Sequence, residues 1–286
     1  MIHNPTAGRR NRGRFDQVVR LIRDSGAELE LRPTAARGDA EAFARESAAG
    51  PFDAILAAGG DGTINEVING LAGSPMPLGI VPLGTANVLA IELGLAIGPE
   101  SIADAILRGR PRQVWPALVA GRRFVLMAGI GFDAHVTAGV SLNLKHVLGR
   151  GAYAAETLRQ WLGWSGGDYR VRVDGSDYRA SWLIVARGRL YGGRFVCAPN
   201  ASLFRPELHV CLLERPGRVH LARYMAAFFS GRLDRLRDCR FVVGRSVEVW
   251  GPSGDPVQAD GDVVARLPVA ISVDPTPLNI LLPPES

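Results

Sequence analysis

Lysine is almost absent from this chain: among 33 basic residues only Lys145 is a lysine, and the rest are arginine. That shortage excludes two nucleotide-binding designs. A Walker A loop needs Gly-Lys-Ser/Thr, and a protein-kinase fold needs a lysine on a strand; Lys145, in Leu144-Lys145-His146, fits neither. Any phosphate chemistry here must rest on arginine, main-chain amides and metal. No apolar run reaches the roughly 18 residues that a membrane span needs; the nearest, Ala117 to Phe132, is broken by Arg122 and Arg123. The first residues run straight into Asn4-Pro5 without an apolar core, so no signal peptide is read. Cys197, Cys211 and Cys239 are an odd set without metal-type spacing, which predicts buried thiols and a reducing, cytoplasmic setting. None of the five histidines stands in a His/Cys or His/Glu metal spacing.

What is present is a globular composition: 286 residues, 47% hydrophobic and 21% charged, enough for two ordinary domains. The net charge of +5 favours anionic membrane surfaces or nucleic acid as partners. No basic helix carries interleaved aromatics, so nucleic acid is not expected. Arginine richness also follows simply from a GC-rich genome.

Residues 1–112 alternate short apolar runs with amphipathic stretches. The pattern predicts helices over Phe15–Ser25, Asp39–Ala48 and Ile64–Leu71, strands over Ala27–Leu31, Ala54–Ala58 and Leu78–Val81, and a helix opening near Ala86. Such a rhythm argues for a parallel sheet with helices on both faces. Met1-Ile2-His3 leaves little room for a first strand, which suits a start site placed late. From 113 to 286 the runs become strand-like: Phe124–Met127, Tyr169–Val173, Trp182–Ala186, Leu208–Leu213, Phe241–Val243, Ser246–Trp250 and Val263–Val273. Helices are expected near Gly151–Leu162 and Val219–Ser230. This half reads as a mostly antiparallel β-domain, and the final segment, about 275–286, holds an apolar run at Leu278–Leu282 that is expected to return to the first domain as a strand.

The chemistry concentrates in Ala54-Ile55-Leu56-Ala57-Ala58-Gly59-Gly60-Asp61-Gly62-Thr63-Ile64-Asn65-Glu66. Glycines at a strand-to-helix turn let a ligand approach the backbone, and the N–H groups of the turn and the next helix converge on a point suited to phosphate. A carboxylate at Asp61 would repel phosphate unless a cation lies between them, so the turn reads as a Mg²⁺-nucleotide site. Asn4-Pro5-Thr6-Ala7-Gly8 and Val81-Pro82-Leu83-Gly84-Thr85-Ala86-Asn87 also follow strands, and loops after parallel strands share the edge where ligands bind. Two other motifs mislead. Gly163-Trp164-Ser165-Gly166-Gly167 matches a nucleophile elbow, but a helix precedes it and a strand follows, the reverse of what that elbow needs. Gly129-Ile130-Gly131-Phe132-Asp133-Ala134 matches a dinucleotide fingerprint but lacks the acidic residue about 20 positions on, and it reads as a turn presenting Asp133.

Taken in order, Asn-Pro-x-x-Gly, Gly-Gly-Asp-Gly-Thr-x-Asn-Glu and Pro-Leu-Gly-Thr-x-Asn resemble the diacylglycerol kinase catalytic family, which includes bacterial lipid kinases and sphingosine kinases. The likeness runs on through Gly129–Ala134, Tyr191-Gly192-Gly193-Arg194-Phe195 and Ala198-Pro199-Asn200-Ala201 to Asp260-Gly261-Asp262. It implies an α/β nucleotide domain joined to a β-sandwich that holds the lipid, and transfer of the γ-phosphoryl of ATP to a lipid hydroxyl. It further implies that ATP lies on Gly59, Gly60, Asp61, Gly62, Thr63, Ile64 and Asn65, with Thr34 near the base and Asn4 and Thr85 completing the cleft. Asp61 acts through Mg²⁺, Asp133 meets the polar head of the lipid, and Glu66 and Asn87 brace the loops. The enzyme would work at a membrane surface as a peripheral protein, with a place in phospholipid metabolism. Apolar residues of Leu142–Leu162 with Trp161 and Trp164 are expected either to line the lipid entrance or to be ordinary core.

Two departures from the family pattern stand out. The family's Asp-Gly-Glu, whose Glu serves as base, is Asp-Gly-Asp here, so Asp262 takes the role with a side chain one methylene shorter. The acid that holds a structural Mg²⁺ in bacterial members is replaced by Arg205, so no structural metal is expected, and its guanidinium is expected to pair with nearby carbonyls or acids. Two rival readings remain: a nicotinamide-dinucleotide kinase, which shares the Gly-Gly-Asp-Gly-Thr turn, and a non-catalytic lipid or nucleotide sensor. The lipid acceptor is left open, and so is the oligomeric state, with a homodimer compatible.

Overall fold

The computed structural model describes residues 1–7, 11–139 and 150–284, and side chains in helix 150–163 only from 156 onward. Gly8 of the first loop, Lys145 and the 142–149 part of the expected lipid entrance lie outside the described residues.

Three six-stranded sheets organise the chain. The first contains β1 (Ile2–His3), β2 (Arg32–Pro33), β3 (Ile55–Gly59), β4 (Leu78–Pro82) and β5 (Arg110–Val114). Its spatial order is β2-β1-β3-β4-β20-β5, where β20 is the C-terminal strand Leu278–Leu282. Pairs among β1 to β4 are parallel, and β20 runs parallel to β4 and antiparallel to β5. β3 and β4 are buried along their whole length, the pattern of a sheet covered on both faces. One cover is α1 (Arg12–Asp24), which turns Val18, Val19 and Ile22 inward; with α5 (Pro99–Leu107) it packs on Leu56, Ala58 and Val81. The other face is covered by α2 (Asp39–Ser47) and α3 (Asp61–Gly70), whose Ala40, Ala44, Ile64, Val67 and Ile68 meet Ile55, Ala57 and Ile80. α4 (Val88–Glu92) is a short helix after β4.

The rest of the chain supplies two antiparallel sheets. One has the order β10-β9-β16-β19-β6-β7: Ser176–Ala180, Tyr169–Val173, Ser246–Trp250, Val269–Val273, Ala117–Val119 and Arg122–Phe124. The other has the order β15-β14-β11-β8-β17-β18: Cys239–Gly244, Leu208–Leu213, Trp182–Ala186, Met127–Ile130, Pro256–Ala259 and Asp262–Arg266. Alternation explains their packing. In β9, Tyr169, Val171 and Val173 point inward and Arg170 outward, which suits a strand with one wet face. Val171, Val247, Val249 and Ile271 from one sheet meet Leu183, Val185, Val210, Leu212 and Val257 from the other. Each such buried side chain contributes about 1.5–3 kcal/mol. A small hairpin, β12 (Leu190–Tyr191) with β13 (Phe195–Val196), and the helices α6 (Phe132–Gly139), α7 (Arg150–Gly163) and α8 (Arg218–Phe229) complete the description.

The loop carrying Arg205 is organised by cations. The Arg205 guanidinium donates to the Asn200 carbonyl at 2.9 Å and pairs with Glu207 at 3.2 Å. Next to it, Arg187 is fully buried and fans its guanidinium over the carbonyls of Trp115, Leu203, Arg205 and Glu207. Burial pushes the Arg187 pKa down to about 10, so it stays charged at neutral pH. Among the described residues no three His, Cys, Asp or Glu side chains converge to hold a metal. The three cysteines are buried and reduced, with Cys211 and Cys239 sulfurs 3.4 Å apart.

Candidate active site

A cleft of about 850 Å³ opens between the first sheet's carboxyl edge and the β17–β18 hairpin. One wall carries Asn4, Thr6, Thr34, Arg37, Gly60, Gly62, Thr63, Asn65 and Glu66; the other carries Arg122, Asp260 and Asp262.

The glycine turn is built by contact as much as by conformation. Gly60 is the N-cap of α3 in an extended conformation, and Gly62 is exposed in the first turn. A Cβ on Gly59 would lie 2.6 Å from the Thr63 Cβ. A Cβ on Gly84 would lie 2.7 Å from the Gly60 Cα and 2.9 Å from the Asn87 Oδ1. The β3–α3 and β4–α4 loops thus touch at main-chain distance, and only glycine allows it. Thr63 is buried, and its Oγ1 accepts from the Asn4 Nδ2 at 3.4 Å. The Asn4 Oδ1 in turn accepts from the Thr6 N–H and hydroxyl and from the Ala7 N–H, an Asx turn that shapes the first loop.

Not every expected nucleotide residue faces the cleft. Ile64 packs into the core, and its N–H bonds to the Gly60 carbonyl. Gly59 is buried at the end of β3, and Thr85 is exposed outside the cleft lining. The Asp61 side chain turns toward α4, where its Oδ1 accepts from the Leu89 N–H at 3.3 Å. Burial raises the Asp61 pKa, against the N–H groups of residues 87–89, which lower it. Asn87 braces the β4–α4 loop by donating to the Gly84 carbonyl at 3.0 Å, whereas Glu66 lines the cleft.

The opposite wall hangs on Asp260. Asp260 and Gly261 both have positive φ, the two-residue turn that joins β17 to β18. The Asp260 carboxylate accepts from the N–H groups of Val125, Leu126 and Met127 and from the Asn65 Nδ2, all within 2.8–3.0 Å. Burial dominates even so and pushes its pKa up to about 6. Asn65 therefore ties α3 to the hairpin, and the buried Asn69 ties the same helix to β7 through both main-chain groups of Arg123. Asp262 follows at the start of β18, partly exposed, with the Arg37 guanidinium 2.9 Å from its Oδ2.

Asp133 is placed behind this wall. It is 8% exposed, and its carboxylate accepts from the Trp182 Nε1 at 2.9 Å, the Tyr191 hydroxyl at 2.8 Å and the Gln258 Nε2 at 3.0 Å. The Gln258 Oε1 accepts from the Gly261 N–H at 3.0 Å. Asp133 thus supports the turn that carries Asp262. Any polar ligand group reaching it must displace one of these donors.

Arg37, Arg122 and Asp260 escaped sequence reasoning as site residues. Arg37 had a signal, because it lies in a loop after a parallel strand at the edge already picked out. Arg122 comes from a β-strand of the other half and had none.

The comparisons with known proteins follow this geometry. A family model described as the diacylglycerol kinase catalytic domain matches residues 1–118. A second, the YegS C-terminal NAD kinase beta sandwich-like domain, matches residues 127–282. The chain belongs to the diacylglycerol kinase catalytic family. It is 30% identical to a diacylglycerol kinase of Bacillus subtilis over 278 residues, covering 94% of this chain and 90% of that protein. It is 32% identical to a YegS-like lipid kinase of Pseudomonas aeruginosa over 272 residues, covering 93% and 88%. A crystal structure of a diacylglycerol kinase from Bacillus anthracis shares the fold, with a TM-score of 0.81 at 24% identity over 99% of this chain and 96% of that one. The α/β domain with a parallel sheet and the antiparallel β-domain are the family's architecture.

Proposed function

We propose that this protein is a lipid kinase that moves the γ-phosphoryl of ATP onto the hydroxyl of a diacylglycerol-like or sphingoid lipid. One observation carries the reading: a carboxylate, Asp262, stands across a cleft from the Gly60–Thr63 helix N-terminus. The main-chain N–H groups of that first turn favour the phosphate tail. Arg37 and Arg122 are arginines that line the cleft where lysine is lacking, Arg122 paired with Glu41 at 2.6 Å. In the open cleft Arg37 is held by Asp262. A triphosphate competes for that guanidinium and loosens its hold on the carboxylate. The acceptor hydroxyl then gives its proton to Asp262, its oxygen bonds to the γ-phosphorus, and the bond from that phosphorus to the bridging oxygen breaks, releasing ADP. Positioning and charge neutralisation supply most of the acceleration.

Magnesium fits this donor set as part of the nucleotide complex. No cage of three acidic or imidazole groups exists among the described residues, but Mg²⁺ is usually bound by one or two carboxylates together with phosphates. Glu66, which lines the cleft, and Asp61, once it turns from the Leu89 N–H, are the carboxylates of α3 that would hold it, and it would supply neutralisation of phosphate charge.

The test offers labelled ATP and Mg²⁺ with diacylglycerol, sphingosine or NAD in parallel, to the wild type and to Asp61→Ala and Asp262→Asn. Label should enter a lipid. Asp262→Asn should lose about 10²–10⁴-fold in turnover while nucleotide affinity holds. Full turnover by Asp262→Asn overturns the assignment of the base. Label in NAD alone would replace the lipid reading with a dinucleotide kinase, and nucleotide binding without transfer to any acceptor would leave a sensor.

A further inference from the structure

Helix α8 presents two apolar faces. Leu221, Tyr224 and Phe228 are buried. On the opposite side Val219, Ala222, Ala226 and Phe229 are all exposed, at helical spacing, with Val219 81% and Phe229 54% exposed. The β12–β13 hairpin extends this face, since the Phe195 ring lies 4.9 Å from that of Phe229 and 5.7 Å from that of Phe228. An outward stripe of this kind is uncommon on a protein that meets only water. Its surroundings carry a net positive charge. Residues 215–240 hold seven arginines against Asp234 and Asp238, and Asp238 is already paired with Arg223.

We propose that this face docks on an anionic lipid bilayer, with Val219, Phe195 and Phe229 entering the boundary and Arg232, Arg235 and Arg237 against the headgroups. The inference rests on the lipid-kinase reading for its purpose but not for its physics. Apolar side chains beside a basic rim match the two components of an interfacial site, burial in acyl chains and attraction to anionic heads. A second copy of the chain fits less well, because a two-fold contact would press arginine against arginine. A nucleic acid would leave the apolar stripe unmatched. The face also connects inward. The Phe228 ring stacks edge-on against Tyr191 at 5.2 Å, and the Tyr191 hydroxyl donates to Asp133, which supports the Asp262 turn through Gln258. A lipid leaving the bilayer at this face has an aromatic path toward the hairpin that carries the base.

Vesicle co-sedimentation without nucleotide tests the proposal, using phosphatidylcholine vesicles with and without phosphatidylglycerol. The wild type should bind the anionic vesicles, and added salt should weaken it. Phe195→Ser with Phe229→Ser should lower the partition coefficient about tenfold or more. Arg232→Glu with Arg235→Glu, both exposed side chains, should lose the preference for phosphatidylglycerol with the melting temperature within a few degrees of wild type. Turnover of a short-chain diacylglycerol below its micellar concentration should stay within about twofold of wild type in the arginine variant. Failure of the wild type to bind vesicles, or unchanged binding by both variants, overturns the docking face. So does a dimer that the Phe variants split while vesicle binding persists. Vesicle binding with no turnover of any lipid would sink the kinase reading and leave the docking face standing.

Discussion

Replacing Arg187 with methionine should cost the fold about 4 kcal/mol without altering the cleft. Methionine keeps much of the buried stem but removes the guanidinium that serves four carbonyls. Two of these retain another donor: the Leu203 carbonyl accepts from the Trp115 N–H, and the Arg205 carbonyl from the Glu207 N–H. Among the described residues the Trp115 and Glu207 carbonyls have the guanidinium as their donor. A buried acceptor left without a partner costs about 1–3 kcal/mol, so two give about 4 kcal/mol. For a protein of this size that is roughly 10 °C in melting temperature. Thermal melts followed by circular dichroism measure it. Arg187→Lys should fall between, since an ammonium keeps the charge but loses the planar fork. Because the cation is covalent, the nucleotide-free wild type should melt at the same temperature with and without EDTA. A loss below about 1 kcal/mol for Arg187→Met, or a wild-type melt lowered by chelation, refutes the reasoning.

Four further outcomes are expected. The folded chain holds the Asp260 carboxyl at about 6, against 3.8 as its ordinary value. The folded state therefore binds more protons between those limits, and stability from this group falls by about 3 kcal/mol as pH rises from about 4 to about 6; urea midpoints across that range should show the slope, and Asp260→Asn should flatten it. Gly84→Ala should destabilise by about 1–3 kcal/mol, because its Cβ meets the Gly60 main chain. Gly62→Ala, with nothing within 4 Å of its Cβ, should fold as well as wild type yet bind ATP more weakly, which isothermal titration can separate from stability. Asp133→Asn places an amide donor among three existing donors, so it should lower both melting temperature and turnover, with little change in KM for ATP.

Legibility of the fold followed the strength of each local signal. β3, β4, β9, β11 and β14 lie where apolar runs predicted them, because buried strands must be continuously or alternately apolar. β2 does not. The apolar alternation over Ala27–Leu31 is irregular chain, and the strand is Arg32–Pro33, an edge element of two residues whose partner, not its own pattern, defines it. The run Val263–Val273 reads as one strand but is two, β18 and β19, separated at Leu267-Pro268 and assigned to different sheets. β5, Arg110-Pro111-Arg112-Gln113-Val114, has one buried side chain and no periodicity to find. At the site, the glycine motifs marked the β3–α3 turn that lines the cleft. Distance in sequence hid the rest: nothing local to Asn65 points to a carboxylate 195 residues away.

That long-range bond bears on how the two halves act together. Asn65 lies one turn into the helix whose N-terminus lines the cleft, and Asp260 lies two residues before Asp262, the proposed base. A single carboxylate thus gathers the helix, the main chain of 125–127 and the hairpin into one unit. The donor side and the acceptor side of the cleft are then set relative to each other before any ligand arrives. The aspartate at 262 has a shorter reach than the glutamate of the family pattern, so this rigidity matters more here: a misplacement on the order of 1 Å can cost a hundredfold in rate. Asn65→Ala removes the tie while leaving every phosphate-facing glycine and the base itself in place. It should lower turnover far more than ATP affinity. A variant that keeps turnover and loses only affinity would mean that Asn65 serves the nucleotide directly and that the hairpin finds its position without it.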